Sequence, residues 1–513
     1  EEALLGQLKN LQEDGGAICG EDNYRASFEL NKNTFTANKA PDGMGGAIHL
    51  NRASSTLTEC SFVENEASTG GAVSLYGYVG GGDPSRTDKI RSKFTLKGDK
   101  NTFSKNVAVI KGRGSGYARG GAVYIGGTSL YDSSTAINVK YEDNTAQAGG
   151  AVFVTASAEG SFMHTEFARN IASRKSQGRS GGSASGKRST TTLDGNGGAV
   201  YFEGDSWKAK GATGKSTSDN DSDNTNKYFF GKGCKFNQNK AANGCGGAIF
   251  LSYIRGEGME KGKLFGGKQI SFLTNQAQSG NGIFWQFRGE SAKKKHRTTE
   301  AALKSFHNDI RSECDIKDVT DGFLASSAVS MKVKQGGFPK NTKKLPFTAT
   351  IQHPMTYTNW YSGLDETTKE WPIDKGLRNI KRKESRIISN GDFYTKSGHT
   401  VKNSTSGERT QLQSIDFYGN NALDRGTTYC SATSSDSRIT VPTGNAFTEA
   451  VQEKDGSITE GVVSYQSLAM RGKIGSTSTI TLNCGNPLSS LVKGEMGSVS
   501  FEVQIAPCDP GEE

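Results

Sequence analysis

The chain has 513 residues, a formal charge of +9, 66 glycines, 10 prolines and 33% hydrophobic residues, with a mean hydropathy of -0.59. Glycine is at about twice its usual share but has no period of three, which excludes collagen; the low apolar content predicts a thin core with much polar surface. No run of roughly 18 apolar residues exists for a membrane-spanning helix, and the charge is modest and spread along the chain, so no nucleic-acid partner is expected.

The opening EEALLGQLKN reads as a processed start. From residue 15 to about 285 two phrases alternate. The first is FxxNxA, at Phe35-Asn38, Phe62-Asn65, Phe103-Asn106, Tyr141-Asn144, Phe167-Asn170, Phe236-Asn239 and Phe272-Asn275, each with Ala two residues after the Asn. The second is GGA[IV], beginning at Gly15, Gly45, Gly70, Gly120, Gly149, Gly197 and Gly246, with a worn copy, GNGIF, at Gly280. Each GGA leads into a short alternating run such as AIHL or AVYF, and alternation means strand. One unit is too small to bury its own apolar face, so the units must stack. Turns of a parallel β-helix do this, with neighbouring strands about 4.8 Å apart.

The repeated residues then have physical tasks. Phe and Tyr fill the interior coil on coil. The Asn side chains of residues 38, 65, 106, 144, 170, 239 and 275 form an amide ladder, and Asn also tolerates a left-handed corner. Gly-Gly permits positive φ or close backbone approach at another corner, and Ala fits where nothing larger does. Alternation also turns the residue after GGA[IV] outward. In the first three coils this is Cys19, His49 and Ser74; in the next five it is Tyr124, Phe153, Tyr201, Phe250 and Phe284. Five stacked aromatics predict a stripe on the outside of the shaft. The chain either covers that stripe itself or uses it to dock another copy or sugar rings.

The paired motifs resemble the repeats of the chlamydial polymorphic membrane proteins, GGA[ILV] and FxxN, which also occur in surface proteins of bacteria and protists. The resemblance covers roughly residues 15 to 285. It implies a right-handed parallel β-helix displayed outside the cell, often in adhesion. The chlamydial proteins end in an outer-membrane barrel, whereas this chain ends PCDPGEE; that ending resembles the start of a cysteine-rich module, so a longer precursor is expected.

Insertions are expected at 76–100, 109–119, 173–196 and 204–228. The last holds Asp219, Asp221 and Asp223, whose spacing is similar to a calcium loop but lacks its Gly and Glu; a solvated acidic loop is the alternative. Residues 289–329 read as a cap or linker, with a basic helix at 291–313 that sets Ala302, Leu303, Phe306 and Ile310 on one face. Residues 330–513 read as short strands with turns between them, a β-sandwich. Within them IDFYGN (415–420) loosely resembles a strand end of Ig-like modules.

The eight cysteines contain no CxxC, and an even count suits an oxidising compartment. Cys430 with Cys484, and Cys234 with Cys245, are candidate pairs; the partners of Cys19, Cys60, Cys314 and Cys508 stay open. Asn220 (NDS) and Asn403 (NST) are glycosylation sequons. No catalytic motif, no cofactor motif and no aligned carboxylates emerge. The expected whole is all-β: a parallel β-helix over 1–288, the cap, and a sandwich. It is expected to be a non-enzymatic extracellular protein, an adhesin or appendage component, whose partners are copies of itself, other surface proteins or glycans. A secreted β-helix enzyme or binder of polysaccharide is the alternative.

Overall fold

The structure is a computed structural model. It describes residues 16–20, 27–77, 92–110, 118–127, 129–155, 158–173, 195–203, 208–209, 228–242, 244–252, 263–286, 306, 310, 312–316, 322–333, 347–353, 382–388, 394–396, 410–416, 421–422, 428–441, 446–452, 458–465, 476–485 and 495–506. These fall into two compact units that divide after Leu324.

The first unit is a stack of coils whose strands fall into four long parallel sheets, with a two-stranded parallel sheet of Tyr228–Phe230 and Lys263–Phe265 in the later coils. Within this unit sheet 1 runs from Ile18–Gly20 to Ile283–Gln286 and on to Leu324, sheet 2 from Ser27–Asn31 to Lys208–Ala209, sheet 3 from Thr34–Thr36 to Cys314–Ile316, and sheet 4 from Lys39–Met44 to Lys240–Ala241. The arrangement is compatible with a β-helix. Register is set by the repeat: the residue of FxxN that carries the ring pairs with its counterpart along Phe35, Phe62, Phe103, Tyr141, Phe167, Phe236 and Phe272. Their rings stack inside the coils with centroids 4.7–5.0 Å apart and planes within 12°. That spacing is the inter-strand spacing itself. Burying each ring stabilises the stack by roughly 1.5–3 kcal/mol.

The two glycines of GGA divide the work. The first adopts φ between 63° and 71° in all seven described copies, from Gly45 to Gly280. The second has no room for a side chain: a Cβ on Gly121 would lie 2.0 Å from the Gly150 carbonyl oxygen and 2.6 Å from the Thr145 nitrogen. The worn copy follows from its place, because Asn281 occupies the second position where the coil above no longer repeats, and its Oδ1 accepts from the Ala277 N–H at 3.0 Å.

Left-handed backbone does not fall on the Asn, as sequence reading allowed, but on the residue before it: Ala37, Glu64, Lys105, Asp143, Arg169, Gln238 and Thr274 all have φ of 49–57°. A second left-handed corner lies three residues before each ring, at Lys32, Glu59, Lys100, Asn138, His164, Gly233 and Gln269. Such a conformation costs a non-glycine residue about 1–2 kcal/mol. Backbone bonds to the next coil offset it, as from Glu64 N–H to Ser104 O at 3.0 Å and from Lys105 N–H to Glu142 O at 3.0 Å.

These two corners flank sheet 3; the one after it joins sheet 4 at a constant spacing, from Thr36 to Lys39 through Asn237 to Lys240. Of the expected insertions, 76–100 lies between sheets 1 and 2 and 109–119 and 173–196 between sheets 4 and 1, whereas 204–228 encloses the sheet 2 strand Lys208–Ala209, so that its longer part follows sheet 2. The first is shorter than expected, because Lys93–Asp99 is a strand of sheet 2. In the predicted helix, Phe306, Ile310, Ser312 and Glu313 have helical backbone. Phe306 and Ile310 are buried, and the Phe306 ring packs edge-on against Trp285 at 4.8 Å. Ala302 and Leu303 lie outside the described residues.

In the second unit the described strands join in one path that is antiparallel throughout, except that Tyr394–Lys396 pairs in parallel with Glu495–Ala506. Leu412, Ile415, Val462, Ile480 and Leu482 are buried in it. SRITV (437–441) has the composition of a strand, but Ser437 and Arg438 lie in a turn in which Asp436 accepts the Arg438 N–H at 2.9 Å. Phe347–His353 is a strand with clear alternation in its sequence, FTATIQH, whereas Ala446–Gln452 is a strand that alternation does not mark.

Candidate functional site: two ladders and an aromatic column

The seven predicted asparagines form one continuous ladder. From Asn38 to Asn239, each backbone N–H and each Nδ2 donates to the Oδ1 of the Asn in the next coil, at 2.8–3.1 Å. From Asn65 onward each Nδ2 also donates to the carbonyl oxygen of the ring-bearing residue one coil back, at 2.9–3.0 Å. An interior rung therefore donates through both Nδ2 hydrogens and accepts twice on Oδ1, which is why Asn65, Asn106, Asn144, Asn170 and Asn239 are buried without exposure. The interior rungs are scaffold, their amides spent on one another and on the ring-bearing strand.

On the outside, the corner residues make a second ladder, of charges. Glu64 meets Lys105 at 3.6 Å. Asp143 takes a two-pronged contact from Arg169, Nε to Oδ1 at 2.8 Å and Nη2 to Oδ2 at 2.9 Å. The nearby carboxylates, Asp143 first, hold the Arg169 guanidinium above its usual pKa. Acids and bases alternate along this corner from Glu64 to Arg169, and Lys140 beside it contacts Glu142 at 3.6 Å and Glu166 of the next coil at 4.0 Å.

The column on sheet 1 forms as expected. Tyr124, Phe153, Tyr201, Phe250 and Phe284 lie in register and stack with centroids 4.8–5.9 Å apart. They are not an exposed stripe: none is more than 6% exposed. Ring faces cover one another, and the Arg119 guanidinium lies over Phe153 at 5.2 Å and meets Glu203 at 3.9 Å. The Tyr124 ring folds against Gly126, where a Cβ would lie 2.5 Å from a ring carbon. Burial pushes the Tyr124 phenol up. Thus the column packs within the chain and is closed to a docking partner as the fold stands. Farther down the same row, His49 and Ser74 are also buried.

Of the cysteines, Cys430 and Cys484 are bonded, on strands where they are direct partners. Cys234 and Cys245 are not joined to each other. Cys234 precedes a strand of sheet 3 and turns inward, its thiol donating to Phe162 O at 3.3 Å, whereas Cys245 precedes a strand of sheet 1. Burial pushes the Cys234 thiol up to about 12. Asp219, Asp221, Asp223, Asn220, Asn403 and Cys508 lie outside the described residues. Among the described residues no group of three or more His, Cys, Asp or Glu could hold a metal, and no helix is long and apolar enough to cross a membrane.

Sequence reading missed two features. The corner three residues before each ring has no shared side chain to betray it, although its constant distance from the ring was there to be counted. The Arg119–Glu203 contact joins residues on separate coils and leaves no local signal. Comparison with family models, curated proteins and solved structures returned no match.

Proposed function

We propose that the chain is a non-enzymatic protein of the cell exterior, a right-handed β-helix shaft closed by a short helical cap and followed by an Ig-like β-sandwich, serving as a subunit of a surface appendage or as an adhesin. The observation that carries this reading is the fate of the repeated residues. Every ring, Asn and Gly that recurs in the described coils is taken up by contacts between coils, so the repeat makes length and stiffness and leaves no recurring group for chemistry. The Cys430–Cys484 bond supports an oxidising compartment, and the paired GGA[IV] and FxxN motifs support kinship with the polymorphic membrane protein repeats. Function then belongs to what the shaft holds out, in its insertions and its second unit.

Negative-stain microscopy of the native material tests the appendage reading: filaments or sheaths labelled by an antibody to this chain support it, and a uniformly dispersed monomer turns attention to adhesion, read by binding to glycan arrays. Release of sugars from polysaccharides by the purified chain would overturn the non-enzymatic reading.

A further inference from the structure

The outward side of sheet 3 repeats in register from coil to coil. The corner that leaves it for sheet 4 has the same length in every coil from Thr36 to Lys240. Along its second corner the charges run Glu64, Lys105, Asp143, Arg169, one per coil: negative, positive, negative, positive. An alternating row of even length has a simple property. Reversed end for end, it becomes its own complement.

We infer that this face pairs with the same face of a second copy of the chain, the shafts running in opposite directions. The two-fold axis lies in the plane of the face, along the strands, between the coils of Lys105 and Asp143. That operation keeps each corner opposite the same corner and reverses the order of coils. Glu64 then faces Arg169 of the second copy and Lys105 faces its Asp143, and symmetry doubles both pairs. Val63 faces Ala168, and Glu59 faces His164. No residue meets a like charge.

Other arrangements fail on charge. Parallel shafts exchange the two corners, so Glu64 meets Glu59 and Lys105 meets Lys100. An axis passing through a coil sets Lys105 against Lys105 or Asp143 against Asp143. Six coils at about 4.8 Å and five residues at about 3.3 Å give a face of about 500 Å² per copy. That is below the roughly 800 Å² of a standard stable interface. The contact is therefore weak alone and salt-sensitive, suited to lateral repetition in an assembly. The inference deepens the appendage reading by naming a second copy as the partner, and it stands or falls separately from it.

The test is sedimentation equilibrium of the full chain. At roughly 50 mM salt the chain should dimerise with rising concentration, and at roughly 0.5 M it should return to monomer. Glu64→Arg alone and Arg169→Glu alone should each weaken the dimer about tenfold, because each sets like charges opposite each other twice. The double exchange should restore it. In the double variant each exchanged charge still sits beside a like charge of its own chain, Lys105 in one case and Asp143 in the other, so recovery cannot arise within one chain. Circular dichroism checks folding, and if a single variant fails to fold, the Lys105→Asp and Asp143→Lys exchange asks the same question. A chain that stays monomeric at low salt overturns the inference, as does a double variant as weak as the singles or a dimer indifferent to salt. Monomer in solution together with filaments in native material would remove this interface and leave the appendage reading in place.

Discussion

Asn144 gives two hydrogen bonds to a single atom of Asn170: its backbone N–H reaches the Asn170 Oδ1 at 3.1 Å and its Nδ2 reaches it at 2.9 Å. Below, its own Oδ1 takes the same two bonds from Asn106, at 2.9 and 3.0 Å. Replacing Asn144 by Ala strands both Asn106 donors in a dry interior. The expected loss is about 3 kcal/mol, read as a lower denaturation midpoint for the first unit. An unchanged midpoint would contradict a buried ladder.

Gly121 and Lys100 should respond in opposite ways. A Cβ on Gly121 overlaps the backbone of two other coil segments, so Gly121→Ala should abolish folding of the middle coils. Lys100 carries a side chain at φ 64°, and Lys100→Gly relieves that strain while adding freedom to the unfolded chain. Its stability should move by no more than about 1 kcal/mol. Limited proteolysis of the two variants side by side separates them.

Tyr201→Ser and Phe250→Ser should each destabilise the shaft, because both rings are buried. Emptying a buried aromatic site costs about 3–5 kcal/mol. Calorimetry reads it; a pair of variants melting with the parent would mean that the column is not packed as described.

Alkaline pH should unfold the first unit. Burial raises the pKa of Cys60 and of Cys234, the latter to about 12. It also raises that of Tyr131 and Tyr141, whose hydroxyls hydrogen-bond to each other in the interior. A raised pKa favours the protonated form when folded. The stability this gives is complete below the unfolded values, about 8.5 for Cys and about 10 for Tyr, and is lost as pH climbs towards the folded ones. Tyrosinate absorbance should therefore rise together with loss of circular dichroism; tyrosinate forming in an intact fold would refute the argument.

The Cys430–Cys484 bond closes a loop of sequence separation 54. Replacing both by Ser should lower the stability of the second unit by about 4 kcal/mol and leave the first unit alone. Two resolved melting transitions, with only one shifted, are the expected record.

Phe103 and Asn106 were legible because each coil must place the same side chain on the same spot, and stacking turns that demand into a repeat. Lys100 and His164 were not, since a left-handed corner held by backbone bonds asks nothing of its side chain. The facing of Tyr201 could be read from alternation, but its burial could not: period two says which way a ring points and not what lies over it. Cys234 and Cys245 mislead because nearness in sequence spans two sheets here. In the second unit no repeat multiplies the signal, so Ala446–Gln452 leaves no mark while SRITV, which opens in a turn, has the composition of a strand.

All six links of the asparagine ladder point the same way, nitrogen to oxygen from Asn38 towards Asn275. Aligned amide groups add their dipoles, and each polarises the next. The shaft therefore has an electrical direction along its interior, negative at the Asn38 end and positive at the Asn275 end, fixed by side chains whose amides bind one another. Two shafts laid side by side in opposite directions would set these axial dipoles antiparallel, the orientation in which neighbouring dipoles attract.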